Sequence, residues 1–551
     1  MPRHVTRLVL AALVAGAVGC SPKRPGAQVS CAPPECATDS TLELVAEVDP
    51  PSDSQLVRQE FDTVSIDPQT GLFTLALDRQ VTLRGTVQLG TGAQAKGVGA
   101  TVVATRPSRI VGRPDVVYQG TVSPLDGTYT LVVSQNRDGE TYALRVATID
   151  QSLVPPKTLK VVANVDKIVD VTLEAPLTLP EIHGTILDSL QQPVAGMQVQ
   201  ATTVATASTA AVVVSTTTVT DANGAYSIRL VTNPPGQVLL TATPTAMAAD
   251  ALPSLQRTVD TTKLGPTNAL TASLTVPPLP APVQVSYNVV GAGTSGALIP
   301  VTAATCTFVA DVSDAHAADG TTATFRASAM TDALTGTVVA DLIPTDGGNR
   351  SYVVTISPDA SQPFATKTQT LTVAPGGYGG NITLSLRAQL SGRVIDATSN
   401  PLHNLTVVPA PPTLAAALGP APYSLTVTPQ QATASSDGRF SLRLDEGFWD
   451  VGLVPPADAM LPRLWLTQLD LNQDLDIGTV IVPRGVVVHG VVHDPAGAPL
   501  AHANVRIYTV TSGNADCDPT DQQCLAPPRL RGEASSGADG TVALILPSQP
   551  Q

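Results

Sequence analysis

Aromatic residues make up only 3% of this 551-residue chain, with two tryptophans among them, and histidine occurs seven times. So few rings leave little material for the exposed platforms on which sugar-binding sandwiches stack a pyranose, and carbohydrate is not an expected partner. No HExxH, GxSxG, P-loop or dinucleotide glycine pattern occurs, which removes the common sequence routes to metal-assisted hydrolysis, acyl transfer and nucleotide chemistry. Gly291–Gly296 is merely glycine-rich. His489, His493 and His502 with Asp494 form the densest histidine group, but other repeats place Arg84, His183, Ser391, Leu187 and Ile395 at the positions of the first two. The group is therefore read as repeat positions and not as a metal site, and no cofactor is expected. Positive charge is also short: 31 Lys and Arg face 45 Asp and Glu, a net charge of −14, which disfavours nucleic acid as a partner.

Cysteine is scarce, and its six copies sort by position. Cys31 and Cys36 bracket Ala-Pro-Pro-Glu, and Cys517 and Cys524 bracket Asp-Pro-Thr-Asp-Gln-Gln, two turn-rich stretches in which local disulfides are expected in an oxidising compartment. Cys306 shares one face of a strand with Phe308, Ala310 and Val312 and reads as a buried small hydrophobe. Asp470–Asp476 lacks the Gly and Glu that an EF-hand loop requires, and alternation of Leu469, Leu471, Leu475 and Ile477 reads as a half-buried strand with an acidic outer face. The Asp-x-x-Gly turns need no calcium, because an Asx turn satisfies the carboxylate locally.

Arg3 and Arg7 precede an apolar run from Leu8 to Val18, too short to span a bilayer, and then Gly19-Cys20-Ser21. This pattern resembles the bacterial lipobox, with Ala17 where that family usually has Leu. The resemblance implies a signal peptide over residues 1–19, lipidation at Cys20 and, because Ser21 and not Asp follows, the outer membrane. Loss of Arg3 and Arg7 with the leader takes the charge to −16. Residues 20–41 are rich in proline and lack apolar periodicity, as expected of a flexible tether reaching up to roughly 65 Å.

What the chain does have is a repeat. A strand with a central small residue recurs at Leu83–Val87, Ile182–Ile186, Leu390–Val394 and Val488–Val492, with a degenerate copy at Val285–Val289. The steps are 99, 103, 105 and 98 residues, the size of one small β-domain. Four of the units later carry a hairpin signal, Asp126-Gly127-Thr128-Tyr129, Asp221–Tyr226, Asp437–Phe440 and Asp539–Val542, in which Gly supplies the positive φ and the next large residue turns inward. The fold expected is all-β, a tandem series of Ig-like sandwiches.

These motifs resemble the carboxypeptidase regulatory-like domain, a transthyretin-like sandwich of about seven strands. The resemblance implies a non-catalytic module and brings no catalytic residues. It divides the chain into repeats at 81–175, 176–279, 280–386 (degenerate, by spacing only), 387–482 and a partial one at 483–551, preceded by a partial unit at 42–80. Pro50–Arg58 matches Pro455–Arg463 at both prolines, the Asp, the Leu and the Arg, so residues 42–80 read as the second half of a unit and 483–551 as a first half. Two readings stand: the halves complete one another, within or between molecules, or each folds onto its neighbour. Four or five units in line would project roughly 150 Å.

The expectation is a non-enzymatic, lipid-anchored outer-membrane protein facing the periplasm or the cell surface. Its partners would be the membrane, through the anchor, and other envelope or surface proteins, with the repeats as spacer or adhesion surface. The alternative is an accessory scaffold subunit of a periplasmic or outer-membrane enzyme or transport assembly.

Overall fold

Alternating burial along Ala100–Arg106, Tyr142–Thr148 and Thr322–Met330 shows why this chain makes strands: Val, Leu, Ala and Thr at period two give each strand one apolar face. The computed structural model describes residues 43–547 except 55, 66–71, 91–95, 111–114, 138, 206–210, 246–251, 266–267, 294–295, 313–318, 346–350, 378, 411–429 and 511–527. Within them the only helices are three-residue 3-10 turns, and no helix is long and apolar enough to cross a membrane.

The unit is clearest over residues 388–482. Its opening strand, Ala388–Asp396, is flanked by Arg439–Leu444, antiparallel, and by Leu475–Val482, parallel. The facing sheet runs Ala432–Thr433, Thr406–Ala410, Phe448–Val454, Leu464–Asp470. Leu390, Val394, Val407, Val451 and Leu453 fill the space between the sheets. The same arrangement, an opening strand between an antiparallel hairpin strand and a parallel last strand, recurs from Gln80–Leu89, Glu181–Leu187 and Val283–Ala292. The unit at 280–386, legible only by spacing, is thus a sandwich like the others. Its facing sheet joins that of the preceding unit where Ser254–Asp260 pairs with Thr322–Met330, making one eight-stranded sheet.

Small residues at fixed places set this geometry. Gly127, Gly224, Gly336, Gly438 and Gly540 all have positive φ, between 68° and 77°, and each accepts the amide hydrogen of an opening-strand residue: Val87, Ile186, Val289, Val394 and Val492. A Cβ at any of them would lie 2.3–2.8 Å from the carbonyl oxygen of that same residue. Gly85 and Gly184 leave room for the Val169 and Ala272 carbonyls, where the last strand is interrupted, and the hydroxyls of Tyr129 and Tyr226 donate to those carbonyls. In the third unit Tyr287 replaces the opening-strand glycine, and the close approach passes to Gly379 against Ser286.

The two half-units form one sandwich. Glu43–Asp49 pairs antiparallel with Asn504–Val510 in seven register pairs, and Leu72–Ala76 pairs parallel with Gly485–His493 in five. Ala46, Val48, Phe73 and Leu75 share a core with Val492, Val505, Ile507 and Leu544. Strand for strand this is the 388–482 unit with its chain cut between the hairpin strand and the strand that follows it. Short links join this closing unit to both neighbours, Leu77–Arg79 to the first and Pro483–Arg484 to the fourth. The units are tandem along the chain, but the series closes on itself, so the open line expected to project about 150 Å is not formed.

A second correction concerns Asp470–Asp476. The segment is not one strand: Leu464–Asp470 ends in one sheet and Leu475–Val482 begins in the other. The bend is fixed by Leu471, which donates to the Gly447 carbonyl, and by Asp474, whose carboxylate accepts the Gln389 amide hydrogen at 2.8 Å.

Candidate functional site: the closing seam

Among the described residues, the charged side chains that the fold buries gather around the closing unit: Glu47, Glu60, Arg106, Asp450 and Arg531 lie in it or against it, and only Arg387 lies elsewhere. On its first side, Gln59–Phe61 presents Glu60, 1% exposed, to the first full unit. Its carboxylate accepts from the Ser108 hydroxyl at 2.8 Å and the Arg109 amide at 3.0 Å, with the Arg106 guanidinium at 3.5 Å. Arg109 in turn bridges Asp78 at 2.9 Å and Glu140 at 2.7 Å. Burial alone would raise the Glu140 carboxyl, but hydrogen bonds from Arg109 and the Arg137 amide, with the Arg109 charge, hold it down to about 2.

Across the seam itself, Glu47 is 1% exposed yet fully engaged. It accepts from Arg58 at 2.9 Å, from Arg506 at 3.0 Å and from the Tyr508 hydroxyl at 3.1 Å. Arg506 also reaches Asp49 at 2.6 Å and Glu533 at 2.8 Å. Val45 and Tyr508 pack with Ile110 of the first unit and with Leu530, so three bodies meet at one small apolar cluster.

On its far side the closing unit meets the fourth unit. Arg529 pairs with the buried carboxylate of Asp450 and lies 4.7 Å from the centre of the Trp465 ring, while Trp465 Nε1 donates to the Leu530 carbonyl at 3.1 Å. Burial pulls the Arg529 guanidinium below its ordinary range, against the pull of Asp450. Arg463 closes the contact on Glu533 at 3.2 Å. The second and third units are joined by the shared eight-stranded sheet and one core. At the other two junctions Arg229 donates to the Ser152 carbonyl, and Arg387 pairs with Asp445 while capping carbonyls of residues 358–362. These ion pairs join groups up to 459 residues apart in sequence and carried no local signal; only the Pro50–Arg58 match pointed to them.

Of the residues singled out in the sequence, Cys20, Cys31, Cys36, Cys517 and Cys524 lie outside the described residues. Cys306 is a buried free thiol, pushed up to about 12 by burial. His489 and His502 are exposed, and Asp494 accepts the amide hydrogens of Ala496 and Ala498 within its own turn. Among the described residues no group of three or more His, Cys, Asp or Glu side chains is placed to hold a metal ion. Trp449 is buried and donates to the Asp445 carbonyl; with Trp465 at the junction, neither ring forms a free platform. The hairpin Asp332–Thr337 lacks the Asp-Gly-x-Tyr signal of the first unit, because Thr335 stands directly before Gly336 where the first unit has Asp126 before Gly127, and Val338 stands where it has Tyr129. Its span is that of the first unit, Gly336 bonding back to Asp332 as Gly127 does to Ser123. The arrangement ties residues 43–76 to residues 485–510 and fastens neighbouring sandwiches.

No protein-family model matches the chain, and no curated protein does. Among solved structures, a streptococcal ancillary pilin aligns at 13% identity and a TM-score of 0.22 over 56% of this chain and 99% of that one. The Bacillus anthracis TIE protein aligns at 9% identity and 0.17, over 73% and 74%. Two B repeat units of the collagen-binding protein of Staphylococcus aureus align at 12% identity and 0.14, over 74% and 99%.

Proposed function

We propose that this is a non-enzymatic, lipid-anchored envelope protein that works as a rigid protein-docking scaffold. The observation that carries the reading is the closing seam. Glu43, the first described residue, opens a strand held between Gln59–Phe61 and Asn504–Val510, so a tether arriving from Cys20 would enter a sandwich that both ends of the chain build. The buried carboxylates and guanidiniums of the junctions are spent on one another and not on a cleft. In this reading the units are regulatory-like modules of the carboxypeptidase type without catalytic residues, Cys20 carries the lipid, and the exposed sheet edges and loops meet other envelope or surface proteins by strand pairing.

Two assays test it. Cells producing the chain and fed an alkyne fatty acid should yield a labelled, membrane-bound protein, with the label lost in Cys20→Ala; an unlabelled wild-type chain in the soluble fraction would overturn the anchor. Protease shaving of intact cells then reports which side the scaffold serves. Loss of the 485–547 region beside an intact periplasmic control means the cell surface, and protection until lysis means the periplasm.

A further inference from the structure

The closing unit differs from the other four in one respect: its two parts share no short covalent link. In the fourth unit, Leu444 and Phe448 are joined by three residues; in the closing unit the corresponding positions belong to the two ends of the described chain, Pro547 and Glu43. Each half runs on through a short covalent link into its own neighbour, Leu77–Arg79 to the first unit and Pro483–Arg484 to the fourth, and makes ion pairs with it. The contact among the described residues that crosses over is that of Tyr508 and Leu530 with the cluster around Ile110 of the first unit. Residues 43–77 are held to the first unit through Glu60 with Arg106 and Ser108, and through Asp62 with Arg137 at 2.9 Å. Residues 485–547 are held to the fourth through Arg529 with Asp450 and Glu533 with Arg463. If the circuit opens, it opens between the halves, leaving each attached to the rest of the arc.

An open arc is self-complementary. One end presents three strands and the other four, each with half of one core exposed and unpaired edges that match in register and, through Arg506 with Glu47 and Asp49, in charge. Register and charge fix that match, not connectivity, so the same half from another copy satisfies it equally. We infer that the chain links to second copies of itself by exchange of this half-sandwich, residues 43–77 of one copy completing residues 485–547 of the next. Closure within one chain competes through the high effective concentration of its own ends, so linkage rises with the concentration at which the chains fold. With twelve register pairs made, the seam then holds whichever partner it acquired. The inference does not rest on the lipid anchor.

The test uses full chains purified in detergent. A copy with Ala46→Cys and a copy with Ile507→Cys, register partners across the seam, are unfolded, mixed and refolded together under oxidising conditions. Peptide mapping should find a disulfide between the two introduced thiols in a band of twice the chain mass. That band should increase about tenfold relative to monomer for each tenfold rise in refolding concentration and be absent when the copies are refolded separately before mixing. No such bond at any concentration overturns the inference. Should either thiol variant not refold, native mass spectrometry of the wild-type chain decides: multimers that grow with refolding concentration support it, and monomer alone at every concentration refutes it.

Discussion

The hairpin glycines are the residues on which the repeat turns. Gly224 has φ 68° and a Cβ there would sit 2.4 Å from the Ile186 carbonyl oxygen, whereas Gly497, at φ 84°, has nothing within 4 Å. Gly224→Ala therefore meets both backbone strain and a backbone atom and should cost about 3 kcal/mol, while Gly497→Ala should cost about 1 kcal/mol; urea denaturation of the two variants gives the comparison. Cys306, buried and with its thiol pushed up to about 12, should resist iodoacetamide at pH 8 in the folded protein and react at once in denaturant. Glu140 makes a pH prediction. Its folded value of about 2 lies below its ordinary 4.5, so its contribution to stability is present above about 4.5 and is lost as pH falls toward 2. Denaturant midpoints should fall over that window, and Glu140→Gln should flatten the slope.

At the scale of the element, the seam strands carry the sharpest expectation. Arg506 joins Glu47, Asp49 and Glu533, so Arg506→Ala removes a charge shared by strands from both chain ends and should destabilise the closing unit by about 2 kcal/mol. Protection of the Val45–Val48 amides from hydrogen exchange should fall, while that of the Leu390–Val394 strand should not. Element identity was largely legible in the sequence because period-two burial and Gly-centred hairpins are local signals. Where the sequence misled, the cause was local too. Alternation across Leu469–Ile477 continues through a bend that changes sheets, and the third unit's hairpin carries Thr335 before Gly336 where the first unit has Asp126 before Gly127. The move of the close approach from the opening strand to Gly379 could not be read locally, because it answers Tyr287 from the opposite strand.

At the scale of the molecule, the repeat spacing of about one sandwich gave the unit count, and the Pro50–Arg58 match to Pro455–Arg463 gave the half-units, but not which of the two readings of them holds. That choice depends on contacts such as Tyr508 with Glu47 and Ile110 with Leu530, which join parts of the chain that no pattern in the sequence relates. The candidate site was illegible for the same reason, since the seam is made of ordinary Arg, Glu and Tyr residues that matter only once the circuit is closed. The central claim is that closure, and hydrogen exchange on the full chain and on a chain ending at residue 482 tests it most directly. If residues 43–77 and 485–547 form one sandwich, the amides of Val45–Val48 and Thr74–Leu75 lose their protection in the shorter chain while the 388–482 unit keeps its own; unchanged protection of residues 43–77 would contradict the closed circuit.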